Sequence, residues 1–448
     1  MVAPFRAEEG RHWNAITYID MGPPAPAVPG SLARQALSSP AVDTAVLLIF
    51  AAVYAGMLLG EIPGLALDRS GVALLGAIAL VATQRVTVGQ AWNAVDVPTL
   101  ALLLGLMVVS AQFRLGGLYT RVSRWLADHE GSPTRLLALL IGTAGLLSAL
   151  LANDIVCLAM APIITAGCAR RGRDPVPFLL ALAAAANVGS AATLIGNPQN
   201  MLIGQALHLS FAGYLVDALV PSALGLGLVW AVIAWRFRGR WDRAVTLTRT
   251  EQRDLAFNRW QTAKGLVVLA ALVLVFLVVP VPREAAALTA AGLLLMSRRM
   301  TSRDILGQVD WHLLVLFMGL FVVNHALLQS GMTERAVAGL RAGGVDLARA
   351  PWLFGATAAL SNLVSNVPAV MLLLPAASPH PQAGALLALA STLAGNLLIV
   401  GSIANIIVVE QAGRLGLRIG WREHARVGVP VTLLTLGVAA GWLWLRAG

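Results

Sequence analysis

The chain predicts an all-α polytopic membrane protein made of two inverted repeats, each with about five transmembrane helices, one re-entrant hairpin and a broken helix. Three observations carry this expectation. Of the 448 residues, 58% are hydrophobic and 12% charged, about half the charged share of an ordinary soluble domain. Apolar runs of about 17 to 22 residues recur, each long enough to cross a hydrocarbon core of about 30 Å as a helix. Polar landmarks of the first half return in the second, as Asp96 does in Asp310, 214 positions on.

The same composition narrows the function. A net charge of +10 and a pI near 10.9 would suit nucleic acid. The arginines, however, sit in short loops between apolar spans, where they set topology, so no nucleic-acid partner is expected. Cys157 and Cys168, the only cysteines, stand in apolar surroundings and offer neither a disulfide framework nor a thiol metal site. Residues 1–40 are polar, rich in Pro and Ala, and lack an apolar signal core, so a disordered tail is expected there.

Taken in order, spans are expected at 42–60, 71–84 and 96–113, within a first repeat of 41–236. A hairpin follows at 136–168, interrupted by Asn153 and Asp154. Arg121, Arg124 and Arg135 precede it and Arg170, Arg171 and Arg173 follow it, so the positive-inside rule puts both ends in the cytoplasm. Arms of about 14 to 17 residues suit a re-entrant loop better than two crossings. The next helix, at 177–209, is built to break. Its stretch Asn187-Val-Gly-Ser-Ala-Ala-Thr-Leu-Ile-Gly-Asn-Pro-Gln-Asn200 contains Pro198, which has no N–H to give, Asn197, which that proline biases away from helical angles, and Gly196. Backbone groups freed in hydrocarbon are tolerated only where they meet protein or line a cavity; a plain proline kink is the alternative reading. A span at 213–235 and a basic cytoplasmic linker at 237–263 close the half.

The second repeat, 264–448, follows the same plan. Gly105 and Gly117 return as Gly319 and Gly331, Leu147-Ser-Ala-Leu-Leu-Ala-Asn153 as Leu360-Ser-Asn-Leu-Val-Ser-Asn366, and Gly196 to Asn200 as Gly401 to Asn405. A hairpin is expected at 351–377 and a broken helix at 384–410, whose break has no proline and rests on Gly401 and Ser402. An odd number of crossings per repeat forces opposite orientations. Arg298, Arg299, Arg303, Arg414, Arg418, Arg422 and Arg426 fall on the cytoplasmic side of this scheme, while Arg85, Arg335, Arg341 and Arg349 run against it.

Opposed tips and breaks bring helix ends and polar side chains together at mid-membrane. The candidate substrate- or ion-binding residues are therefore Asn153, Asp154, Asn187, Ser190, Thr193, Gly196, Asn197 and Asn200, with Ser365, Asn366, Thr392, Asn396, Gly401, Ser402 and Asn405 from the second repeat. A single membrane asparagine is more often a packing residue. Two at matched tips, each followed by its own break, argue for a site. Asp154 is the only acid near either tip. A carboxylate at that depth is costly unless protonated, paired or bound to a cation, which makes it the proton-coupling candidate, against a capping role in the hairpin. His325 reads as a packed histidine, since Ala111 holds its place in the first half, and Arg114 as an interfacial side chain.

Asn153-Asp154 with Pro162, followed by the Asn187 to Asn200 stretch, resembles the ion transporter superfamily of arsenite permeases, related sodium/proton antiporters, citrate transporters and dicarboxylate/sodium symporters. The likeness covers nearly everything after the tail and is nearest to bacterial anion transporters of the arsenite-permease side. It implies opposed hairpins, a scaffold and a moving part, elevator-type alternating access, residence in the bacterial cytoplasmic membrane and a homodimer. It also implies export of arsenite or antimonite, neutral at physiological pH, in exchange for protons. The dicarboxylate branch carries Ser-Asn-Thr at both tips. Here they read Ala152-Asn153-Asp154 and Ser365-Asn366-Val367, a departure from sodium-coupled dicarboxylate uptake.

The expected function is thus secondary active transport of a small anion or of arsenite or antimonite, driven by a proton or sodium gradient. No other cofactor and no resident metal are expected. A sodium-coupled dicarboxylate or citrate symporter is the alternative. No phosphate-binding Gly-x-x-x-x-Gly-Lys-Ser/Thr loop surrounds Lys264, the sole lysine. An intramembrane enzyme with Asp154 and His325 as acid and base would need an asymmetric catalytic set, whereas the polar groups here are duplicated.

Overall fold

The computed structural model describes residues 40–60, 66–242, 256–377 and 380–447. Residues 1–39 of the expected tail, 243–255 of the expected linker, and Ser378 and Pro379 after the second hairpin lie outside them. Among the described residues all regular structure is helical, with one isolated bridge between Arg173 and Asp242, so the fold belongs to the all-α membrane class that the composition predicts.

The first ten helices are α1 (Pro40–Leu59), α2 (Arg69–Ala82), α3 (Val88–Ala94), α4 (Val97–Leu115), α5 (Leu118–Ala127), α6 (Pro133–Leu150), α7 (Asn153–Arg170), α8 (Val176–Ser190), α9 (Pro198–Ala206) and α10 (Phe211–Arg236). Ten more repeat their order: α11 (Arg259–Val278), α12 (Arg283–Leu295), α13 (Ser302–Leu306), α14 (Trp311–Gln329), α15 (Met332–Ala342), α16 (Ala350–Val364), α17 (Asn366–Ala377), α18 (Ala383–Ala394), α19 (Ile403–Arg414) and α20 (Trp421–Ala447). Shared turn chemistry explains the match. Thr87 and Thr301 open α3 and α13 with capping boxes, and Asp96 and Asp310 cap α4 and α14. Gly117 and Gly331 lead into α5 and α15 at φ of +73° and +70°, which glycine adopts without strain.

Among the described residues six helices, α4, α6, α10, α11, α14 and α20, are long and apolar enough to cross a membrane. Trp235, Trp260, Trp311, Trp421 and Trp444 stand exposed near their ends, as interfacial tryptophans do. With 14 residues, α2 reaches only about 21 Å and falls short of a full crossing. By contrast α6, at 18 residues, is longer than an arm of 14 to 17. Ser132 accepts from the N–H of Arg135 and Pro133 takes the first helical position, so the helix starts ahead of Leu136.

Every residue of α8 and α18 is buried, which makes these two helices the centre of the molecule. α6 packs on α8, α16 on α18, and α10 on α20. Across the repeats, α4 packs on α12 and α14 on α2. A Cβ added to Gly105 would lie 2.7 Å from the carbonyl carbon of Ala287, and one added to Gly319 would lie 2.6 Å from that of Ala73. Gly105 and Gly319 are 214 positions apart, and so are Ala73 and Ala287. The same glycine–alanine contact is therefore made twice between the two halves. Gly105→Val and Gly319→Val are expected to destabilise the protein equally, by about 3 kcal/mol each through overpacking, read as matched falls in melting temperature in detergent.

Candidate functional site

Between α8 and α9 the chain leaves helical geometry over residues 191–197. Asn197, ahead of Pro198, is extended at φ −153° and ψ 160°, and its Oδ1 accepts from the N–H of Asn200, 2.9 Å, to start α9. The turn is too tight for any side chain at Gly196, whose added Cβ would lie 2.3 Å from the Ser190 carbonyl oxygen. Carbonyls freed within the break are taken up by side chains: Asn200 Nδ2 donates to Thr193 O at 2.9 Å, and Tyr214 Oη donates to Ala191 O at 2.7 Å. Thr193 Oγ1 donates to Ala149 O and so ties the break to the last turn of α6.

The second break forms without proline. Ser402, extended at φ −145° and ψ 139°, accepts from the N–H of Ala404 at 3.2 Å, and Asn405 Nδ2 donates to Gly395 O at 2.8 Å and Leu398 O at 3.0 Å. Here the Ser402 and Asn405 side chains shape the break without a proline, whereas in the first break Pro198 follows the Asn197 cap as the first residue of α9.

The two breaks meet in reciprocal pairs. Ser402 Oγ donates to Asn187 Oδ1 at 2.8 Å, and Asn187 Nδ2 donates to Asn405 Oδ1 at 3.2 Å. In the other direction Asn197 Nδ2 donates to Thr392 Oγ1 at 3.3 Å, and Thr392 Oγ1 donates to Asn200 Oδ1 at 3.4 Å. Asn187 and Thr392, Asn197 and Ser402, and Asn200 and Asn405 are each 205 positions apart, so these are the same two contacts made twice. Asn187 Nδ2 also donates to Asn396 Oδ1 at 2.9 Å, and Asn197 Nδ2 to Ser190 Oγ at 3.0 Å.

Both hairpin tips reach this junction. Asn153, which begins α7, directs Nδ2 to Asn187 Oδ1 at 3.5 Å. Asn366, which begins α17, is satisfied in the amide orientation that has Nδ2 donating to Ser391 O at 3.0 Å and Gly401 O at 3.1 Å and Oδ1 accepting from Gln199 Nε2 at 3.2 Å, with oxygen and nitrogen exchanged from their placement in the structure. Ser365, just before it, is held at φ +75°, a conformation that favours glycine and that non-glycine residues adopt at a cost of about 1–3 kcal/mol. Asn153 Oδ1, Asn396 Nδ2, Asn362 Oδ1 and the hydroxyls of Ser148 and Ser361 are buried and bond to no protein group among the described residues. Such groups are strongly biased toward any ligand able to pair with them.

Thirteen of the sequence candidates thus share one junction, and Ser365 shapes a tip. Asp154 stands apart from them. It lines a cavity of about 210 Å³ together with Arg114, Asn197, Pro198, Gln308 and Asp310, so the junction opens to that cavity at Asn197. Arg114, expected as an interfacial side chain, faces the same space, whereas His325 is not among its lining residues. Gln199, Tyr214 and the paired Ser148 and Ser361 complete the junction although the sequence alone did not single them out. The serines occupy the same place in the two tip motifs, and that duplication was the signal available.

Comparison with known proteins agrees with this architecture. The citrate transporter family model, CitMHS, matches residues 45–385. The chain is 32% identical over 374 residues to a 46 kDa membrane protein of Mycobacterium leprae, covering 79% of this chain and 87% of that one. It is 28% identical over 463 residues to the silicon efflux transporter LSI3 of Oryza sativa subsp. japonica, covering 84% and 93%. In fold it is similar to the YdaH transporter of Alcanivorax borkumensis, with a TM-score of 0.56 at 17% identity over 91% of this chain and 98% of that one. A family match across most of the chain, on a helical membrane scaffold with broken helices meeting at its centre, establishes that this protein belongs to the citrate transporter family of secondary membrane transporters.

Proposed function

We propose that the chain exports a small, uncharged or weakly acidic oxyacid, with arsenite and antimonite as the type substrates, in exchange for protons carried by Asp154. Two oppositely oriented repeats supply alternating access, with the hairpins and broken helices moving as an elevator against the remaining helices. The observation that carries the reading is the junction itself. Its donors and acceptors are amides, hydroxyls and helix ends, several of them buried without a protein partner, and among the described residues no lysine or arginine bonds to it. Uncharged groups of this kind suit a solute rich in hydroxyls, whereas a tricarboxylate calls for cationic partners. Similarity to a silicon efflux transporter supports the same class, because dissolved silicon near neutral pH is also an uncharged hydroxide.

Arg114 favours a second reading, sodium-coupled uptake of a dicarboxylate or citrate, since it faces the cavity next to the junction. Reconstituted protein separates the two. Arsenite efflux driven by a pH gradient and indifferent to sodium is expected, together with arsenite resistance in a sensitive host. Sodium-dependent citrate or succinate uptake with no arsenite flux would overturn the leading reading.

A further inference from the structure

The geometry points to Arg283 and Arg69 as a matched pair of latches, each holding the moving segment of one repeat to a fixed helix of the other, with only the Arg283 latch closed in this structure. The inference rests on the inverted-repeat, alternating-access reading above and adds to it the side chains that decide which face is shut.

Arg283 is the first residue of α12. Its Nη2 donates to Gly204 O at 2.7 Å, in the last turn of α9, and the neighbouring Glu284 accepts from Gln205 Nε2 at 2.9 Å. Carbonyls at a helix C-terminus lack partners within the helix and attract cations, so the guanidinium fits this position. Gly204 keeps the approach open, since a Cβ there would lie 2.9 Å from Arg283 Nη1.

Arg69 occupies the same place in the other repeat, as the first residue of α2 and 214 positions earlier. The residues matching Gly204 and Gln205, 205 positions on, are Val409 and Glu410 in α19. None of the corresponding bonds is made. The Arg69 Nε is buried with no hydrogen-bond partner among the described residues, and Glu410 is turned to Arg414 at 2.7 Å. A cavity of about 490 Å³ adjoins Arg69, lined by Asp68, Arg69 and Ser70 on one side and on the other by Ile399, Val400, Ile403 and Ile406, which precede Val409 and Glu410 on the same segment.

The substitutions between the copies say how the second latch closes. Val409 brings a side chain where Gly204 has none, and Glu410 brings a carboxylate where Gln205 has an amide. Arg69 therefore closes on Glu410, as an ion pair made when the cavity collapses and Arg283 lets go. The other charged or titratable groups beside it are Asp68, Asp310 and His312, with His312 Nδ1 3.9 Å from Asp68.

Cross-linking in proteoliposomes tests this without a substrate. In a Cys157→Ala/Cys168→Ala background, Gln205→Cys/Glu284→Cys should be joined rapidly by a short bifunctional thiol reagent. Arg69→Cys/Glu410→Cys should be joined at least about tenfold more slowly, and prior joining of the first pair should prevent it, as expected of two exclusive states. Failure of the Arg69/Glu410 pair to join, or joining that the first cross-link leaves unaffected, overturns the proposal. Charge reversal gives a second measure. Arg69→Glu and Glu410→Arg should each slow arsenite flux about tenfold, and the double variant should recover to within about threefold of the parent. A double variant no faster than the singles also overturns it. Cross-linking as described in a protein that carries no gradient-driven solute would leave the latches standing and remove the transport reading instead.

Discussion

Asp154→Asn is expected to uncouple the transporter: driven efflux falls at least about tenfold and its pH dependence flattens, while solute-for-solute exchange persists. A charge carried to the bilayer centre costs about 2.5–3.5 kcal/mol, enough to slow reorientation of an unloaded, ionised carrier about 100-fold. Protonation removes that penalty and so links return of the carrier to proton binding. The amide of Asn is permanently neutral, so the variant crosses with or without a proton. Asp154 is placed for the role because it lines the cavity with Arg114 and Asp310 without joining the amide junction, which leaves substrate contacts intact when it is replaced. Flux measured in proteoliposomes at matched and opposed pH checks this. A variant with the parent's pH profile would remove Asp154 from the mechanism.

Asn187→Ala is expected to have the largest structural effect of any single replacement at the site. It removes the group that joins Asn153, Asn396, Ser402 and Asn405 and strands the Ser402 hydroxyl and two amide oxygens in the interior. Membrane hydrogen bonds contribute about 0.6–1.7 kcal/mol each, so a loss of about 2–4 kcal/mol follows, with a lower melting temperature in detergent and no measurable flux. Thr392 holds the matching position in the other repeat, so Asn187→Thr should recover part of both. If Asn187→Ala melted and transported like the parent, contact between the breaks would not be what holds the site together.

Much of this was legible before any coordinates. Pro198 cannot donate, Asn197 precedes it and Gly196 carries no side chain, so the first break follows from local chemistry. The second break has no such residue and was readable only as the copy of the first. Asp96 returning as Asp310 made the duplication visible for the same reason, since turn residues act on their own neighbours, and the structure adds equal caps at Thr87 and Thr301.

What lay beyond the sequence is which polar groups face one another. Asn153 and Asp154 are adjacent, yet consecutive helical side chains diverge by about 100°, so one meets the junction and the other the cavity with Arg114 and Asp310. Asn187 could have paired with any nearby amide, and its choice of Asn396, Ser402 and Asn405 arises from two buried helices packed so that each break faces the other. Composition, periodicity and local turn chemistry determined the membrane class, the duplication and the positions of the breaks. Tertiary packing alone decided the partners across them, because contacts between residues some 200 positions apart depend on how the helices dock and leave no periodic trace in the chain.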